Sequence, residues 1–453
     1  MEKALNITLT KLPIADIIQN VNDFLWGWPI IIFFIAAGAI ATYQLKFLQF
    51  RYFFQSWKLL LKPGAMLSAH GQMTPFQAFI GALNTSVGNG SLAGMSVAVH
   101  LGGPGAAFWI FVIGFFSLII RYCEVYLSNV YQGTVGKDAV LGGPMVYLRR
   151  VYGGSFLPYV YAVFCFAFAL VGGNAMQCNS IRLGVEKILN INAGWIALGL
   201  FLFVAYIMAG GAKRIVSFSE KIVPLKVGGF FISCIIILLF HINAILPALK
   251  LIVCGAFNCK AFSGALIGYS ILSAIRYGIS RPVNATEAGL GTAGILFGST
   301  GSRQPVEDGI MSMVSTFISN YLVCFLLTLI LIVTGVWNNG LTSTALTISA
   351  FETVFGTYAG WIVTILSIMF GMGVLVTNGF IARECWQFLT AGKYLNIFSS
   401  IYVLTALFGA LAQVGVVWNA IDIVIAGLLA INLFAILSLM PKITADFKKY
   451  DAR

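Results

Sequence analysis

The sequence predicts an all-α, polytopic membrane protein of about eleven transmembrane helices. Composition is the first observation behind that prediction. Hydrophobic residues make up 59% of the 453 and charged residues only 9%, whereas ordinary soluble domains carry roughly 25% charged residues. A soluble fold of this size has nowhere to hide the surplus, so a soluble enzyme, a nucleic-acid binder and a disordered regulator are all excluded. The second observation is that apolar runs of about 20 residues, the length that crosses a bilayer as a helix, recur along the chain. The third is that Lys and Arg alternate between the loops that join those runs, so the net charge of +12 reads as cytoplasmic loops facing a lipid bilayer.

In order, the runs lie near 26–45, 76–100, 105–131, 157–185, 194–210, 222–245, 263–298, 309–335, 358–385, 396–412 and 416–440. Residues 1–25 are amphipathic, carry Asp16 and Asp23, and lack the early apolar core of a cleavable signal. One transmembrane domain therefore spans 1–453: an N-terminal segment with an extra helix (1–72), two sets of five runs (73–245 and 246–440) and a tail (441–453). Eighteen Lys and Arg residues, Lys226 among them, fall in one set of loops. Five (Lys3, Lys11, Lys187, Lys250, Lys260) fall in the other, and Arg121, Arg182, Arg276 and Arg281 lie inside runs. The positive-inside rule puts the C-terminus in the cytoplasm and the N-terminus outside a plasma (inner) membrane. Most of the 8 Cys sit in apolar runs as small hydrophobes. The spacing of Cys254 and Cys259, read as one short loop, allows a disulfide if that loop faces an oxidising compartment.

Two runs are too polar for a plain membrane helix, and ionisable or polar groups at membrane depth are functional candidates by default. The first is Asn84-Thr85-Ser86-Val87-Gly88-Asn89-Gly90-Ser91. Unwinding there frees carbonyls for a cation and amides for an anion, which is tolerable only around a wet or filled cavity. Tight packing through small residues explains the Gly and Ser but not the two Asn. The second is the stretch from Arg276 to Thr292, where Pro282 removes a donor and Arg281 and Glu287 stand close enough to pair if the chain unwinds between them. An ion pair that merely glues helices is the bland alternative. The breaks fall in the first run of each set of five, the pattern of an inverted-repeat transporter with its site at the midplane. Asn174 and Gln177, at i and i+3, share a helix face and are expected to point at the same cavity.

These residues bring a family into view. Leu45-Lys-Phe-Leu-Gln-Phe-Arg51, Thr74-Pro-Phe-Gln-Ala78, Gly88-x-Gly90-x-x-Ala93-Gly94, Leu101-Gly-Gly-Pro-Gly-Ala106, Gly142-Gly-Pro-Met145, Met176-Gln-x-Asn-Ser180, Ile275-Arg-Tyr-Gly278, Glu287-Ala-Gly-Leu-Gly291 and Val417-Trp-Asn419 with Asp422 occur in order over nearly the whole chain. Together they resemble the alanine or glycine:cation symporters (the sodium:alanine symporter family), within the amino acid-polyamine-organocation superfamily and its LeuT-type five-plus-five inverted repeat. The resemblance implies a small amino acid held by the first broken helix and the third helix, with sodium beside it. Where the family has Thr-x-Gly-Thr-Gly-Asn, this chain has Ser86-Val87-Gly88-Asn89-Gly90-Ser91; the third-helix Gln is Gln177. The family's Gly-Val-Phe-Ser-Asn-Glu becomes Pro282 to Glu287, a Gly-Trp pair becomes Thr377-Asn378, and an Asp becomes Ser319.

The expected function is secondary active, cation-coupled symport of a small neutral amino acid such as alanine, glycine or serine by alternating access. The expected substrate residues are Gly88, Asn89, Gly90, Ser91, Gln177, Ile279, Arg281, Asn284 and Asn378, with carbonyls near Ile279–Pro282 taking the ammonium. Thr85, Ser86 and Thr292 are expected to hold sodium, and Arg281 with Glu287 to form a gating or structural pair. Coupling to protons, uncoupled transport and a non-transporting amino-acid sensor stay open as alternatives. No HExxH, GxSxG or Cys/His cluster suggests an enzyme or a metal cofactor beyond the coupling ion.

Overall fold

Hydrophobic length decides most of the architecture. The computed structural model describes residues 20–62, 71–135, 139–257, 270–412 and 414–452. In chain order its principal helices are α1 (Asn20–Gln44), α2 (Pro75–Ser86), α3 (Asn89–Gly102), α4 (Gly105–Val130), α5 (Leu157–Leu189), α6 (Ala193–Ala209), α7 (Gly211–Phe240) and α8 (Ile242–Phe257). They continue with α9 (Ile271–Thr286), α10 (Thr292–Gly298), α11 (Pro305–Val333), α12 (Ser343–Phe355), α13 (Ala359–Thr390), α14 (Leu395–Leu411), α15 (Val414–Ser438) and α16 (Met440–Asp451). Among the described residues seven stretches are long and apolar enough to cross a membrane: α1, α4, α5, α7, α11, the α12–α13 stretch and Ile421–Ser438 of α15. The apolar helices α6, α8 and α14 are shorter. One antiparallel hairpin, β1 (Gly133–Val135) with β2 (Ala139–Leu141), pairs Gly133 with Leu141 between α4 and α5.

Both polar runs are broken, each for a local reason. Helix α2 starts on a capping box: Gln77 N–H donates to the Thr74 hydroxyl at 3.1 Å, and Thr74 N–H donates to Gln77 Oε1 at 2.9 Å. Pro75 follows at its first position. At the other end the Thr85 and Ser86 hydroxyls turn back onto the Ala82 carbonyl, competing with the backbone ladder. Val87 (ψ 80°) then leaves the helical region, Gly88 is extended (ψ −173°), and α3 begins at Asn89.

The second break lies later than the sequence suggests. Helix α9 runs straight through Pro282, and the chain leaves it only after Thr286. Proline is tolerated in membrane helices because neighbours satisfy the freed group. What forces the interruption is the left-handed backbone at Glu287 (φ 55°), Gly289 (φ 92°) and Gly291 (φ 86°), which glycine adopts without a Cβ penalty. The carbonyls of Ile279–Pro282 therefore belong to a helix and are not an unwound ligand set.

Two further expectations change. The run placed at 222–245 is the second part of the longer α7, followed by α8, so Cys254 lies in a helix; Cys259 is outside the described residues. Lys226, counted with the cytoplasmic loops, is fully buried within α7. Helix α16 touches the short helices Leu48–Arg51 and Phe53–Leu60 through Arg51, Tyr52 and Gln55, which meet Asp451, Phe447 and Tyr450. There Asp451 accepts from Arg51 Nη2 at 2.6 Å and from the Tyr52 hydroxyl at 2.8 Å, while Asp446 accepts from Tyr126 at 2.6 Å.

A central cleft between two broken helices

The two breaks meet at a narrow cleft with free space of about 20 Å³, room for about one water and well below the roughly 300–1,000 Å³ of ligand cavities. The first broken segment contributes Thr85, Gly88 and Gly90, and the second contributes Asn284, Ala285 and Glu287. Helix α5 adds Phe168, Gly172, Met176 and Gln177, and α13 adds Val374. One wall is thus polar and backbone-rich, and the other is aliphatic and aromatic.

Gln177 joins two irregular stretches of backbone. Its Oε1 accepts from the Asn89 N–H at 3.2 Å, and its Nε2 donates to the Gly172 carbonyl at 3.0 Å. Gly172 belongs to the π-helical turn Val171–Ala175, which interrupts α5. That turn also shifts the register ahead of Gln177. Asn174 points away from the cleft and donates to the Tyr402 carbonyl of α14 at 2.8 Å, so the expected shared face of Asn174 and Gln177 does not form. Glu287, nearly fully buried, accepts from the Thr292 hydroxyl at 2.6 Å and is the acidic group of the cleft.

Several expected site residues stand elsewhere. The Asn89 side chain turns to α13, where its Oδ1 accepts from Ser367 at 2.8 Å; only its backbone faces Gln177. Ser91 lies beside Cys324. Asn378 packs on Gly173, where a Cβ would come within 2.4 Å of its Cγ, and its Nδ2 donates to Val374 O. Val374, one turn earlier on α13, is the residue that lines the cleft, so that wall is apolar where the sequence put the amide of Asn378. Ile279 is buried inside α9.

Arg281 does not pair with Glu287. It pairs with Asp422 at 3.5 Å in a second cleft lined also by Asn22, Asp23, Trp26, Arg276 and Ser280. Asn284 borders the central cleft and donates to Asp422 at 3.5 Å, linking the two spaces.

Buried charges that the sequence did not assign hold both breaks. At the second, Arg121 donates to the Thr286 carbonyl at 2.7 Å, where α9 ends. Glu124 accepts from the Gly291 N–H at 2.8 Å, just before α10. The two side chains pair at 3.3 Å, a cation at a helix C-terminus and an anion at an N-terminus, as helix dipoles favour. At the first break Lys226 Nζ donates to the carbonyls of Asn84 (3.0 Å) and Val87 (2.7 Å). Asn84 itself donates to Ser219 on α7 and Thr377 on α13, at 3.0 and 2.9 Å. The signal for Lys226 was present in the sequence as a Lys shortly after Pro224, at the edge of an otherwise apolar run.

The sequence profile of the sodium:alanine symporter family matches residues 11–453. The chain belongs to the sodium:alanine symporter family. It is accordingly a multi-pass membrane transporter of the amino-acid and cation symport class, not an enzyme. An uncharacterized transporter of Haemophilus influenzae is 30% identical over 446 residues, covering 98% of this chain and 97% of that protein. The sodium/alanine symporter AgcS of Methanococcus maripaludis is also 30% identical, covering 96% and 97%. A Bacillus subtilis protein named "Probable sodium/glutamine symporter GlnT" is 28% identical, covering 96% and 91%. Among solved structures, a manganese transporter of Eremococcus coleocola matches with a TM-score of 0.53 at 13% identity, covering 85% of this chain and 79% of that one, a likeness of fold alone.

Proposed function

We propose that the chain carries a small neutral amino acid across the membrane by alternating access, in a LeuT-type five-plus-five arrangement of eleven crossings. In this reading α1 stands apart. The first repeat (73–245) is the α2–α3 segment with α4, α5, α6 and α7; the second (246–440) is α9–α10 with α11, α13, α14 and α15. The observation that carries the reading is the meeting of both broken segments at one cleft, with a buried carboxylate on one side and backbone amides on the other.

The substrate carboxylate is held at the first turn of α3, around Gly88–Gly90, where the positive end of the half-helix points. The ammonium is met by Glu287, with Asn284 beside it. The side chain packs against Val374, Phe168 and Met176, which suits alanine better than a longer polar residue. Gln177 keeps the two irregular backbones in register. The relatives named for alanine and for glutamine support an amino acid as cargo, and the family name supports sodium as the coupling ion. The Lys and Arg bias of the loops supports a cytoplasmic C-terminus.

Uptake of radiolabelled alanine, glycine and serine into proteoliposomes tests the proposal. Saturable alanine uptake, competed by excess serine, is expected. Gln177→Ala is expected to abolish uptake while the protein still reaches the membrane. Saturating alanine uptake that ignores serine, or full activity of Gln177→Ala, counts against it.

A further inference from the structure

The first break exposes the carbonyl end of α2, and a charge belonging to the chain itself stands on it. Lys226 is fully buried. Its ammonium donates to the main-chain carbonyls of Asn84 and Val87 and lies 5.6 Å from the centre of the Phe370 ring. Among the described residues no carboxylate lies within ion-pair distance of it. Taking an ammonium out of water is costly without compensation. Here the compensation is the negative end of a half-helix and two carbonyls that would otherwise be orphaned at membrane depth.

That is the electrostatic task an unwound half-helix gives to a coupling cation in a secondary transporter. The space is also full. On α13 a Cβ at Gly373 would stand 2.8 Å from the Lys226 Nζ and 2.1 Å from Asn84 Oδ1. Of the other oxygens at this end, the Ser86 hydroxyl donates to the Ala82 carbonyl and the Thr85 hydroxyl lies between that carbonyl and the Glu287 carboxylate.

We propose that Lys226 is a tethered cation that takes the ion position at the α2–α3 break, so that this chain moves its amino acid without a sodium ion bound there. The inference rests on the transporter reading above and changes its coupling: the driving ion is not a sodium held by the carbonyls of Asn84 and Val87.

Two measurements on the full-length protein separate this inference from the reading beneath it. In proteoliposomes at a fixed proton gradient, replacing sodium by choline is expected to leave alanine uptake unchanged; loss of uptake on sodium removal overturns the inference. Absence of uptake for every amino acid in both salts defeats the transporter reading instead, and the second measurement then decides the inference without flux. Thermal unfolding of the purified protein is compared in sodium chloride and choline chloride, since an ion that binds only the folded state raises Tm. Wild type is expected to show no sodium-specific shift. Lys226→Ala, and Lys226→Met as a variant of fuller volume, are expected to gain one as the vacated carbonyls accept the ion. A sodium shift in wild type overturns the proposal. So does a loss of Tm in the variants that is equal in both salts, because that is the behaviour of a structural staple. If neither variant yields folded protein, the wild-type uptake and Tm still decide between the two outcomes.

Discussion

Arg121 and Glu124 show how much of the site depends on side chains that never reach the cleft. Each closes one end of the second break, and removing one partner of a buried pair typically costs about 3–5 kcal/mol. Glu124→Gln keeps the shape and the acceptor for Gly291 but strands the Arg121 charge. A clear fall in Tm and loss of uptake are expected, measured by thermal unfolding and flux on one preparation. Gly373→Ala is expected to fail as well, through the 2.1 Å approach to Asn84 Oδ1, with little folded protein recovered. Residue by residue, the sequence was readable where position in the chain fixes position in space. Thr85, Gly88, Gly90, Gln177, Asn284 and Glu287 all line one cleft. It was unreadable where register decides. The π-helical turn sends Asn174 to α14, and on α13 Val374 faces the cleft in place of Asn378. Lys226 was misplaced because a charge near the edge of an apolar run looks like loop, whereas α7 begins well before that run at Gly211.

Among the elements, the two half-helix pairs differ in what breaks them. The first yields to competing Ser and Thr hydroxyls beside an extended glycine, the second to a left-handed turn. The sequence reveals that both segments are irregular but credits Pro282 with an interruption that belongs to Gly289 and Gly291. Pro282→Ala is therefore expected to leave the break and the uptake in place. Gly291→Ala is expected to lose folded protein, because a left-handed residue with a Cβ costs roughly 1–2 kcal/mol and that Cβ would stand 2.2 Å from Pro144 Cγ. Helix α16 is expected to respond to acid. Its Asp451 carboxyl is held below the ordinary value by the Arg51 hydrogen bond, with the Tyr52 hydroxyl adding to it. A depressed folded value means the stabilisation is complete above about pH 3.9, the unfolded carboxyl value, and fades as pH falls through the lower folded one. Hydrogen exchange along 440–451 is expected to quicken in that acid window, and Asp451→Asn to weaken that response, with Asp446, also held low by Tyr126 and Lys442, supplying the rest.

At the scale of the whole molecule, charge and length predict a topology, whereas the shape of the pocket lies beyond them. Lys and Arg bias predicts Asn190 outside and Ala452 inside. An impermeant maleimide should therefore label Asn190→Cys in intact cells and Ala452→Cys only after the membrane is opened. Labelling of both, or of the opposite one, would reverse the orientation. The clasp between Arg51 and Asp451 joins positions 400 residues apart. A ribosome making this protein must thread nearly every crossing into the bilayer before that carboxylate emerges, so the guanidinium waits, unengaged, until synthesis has passed residue 451.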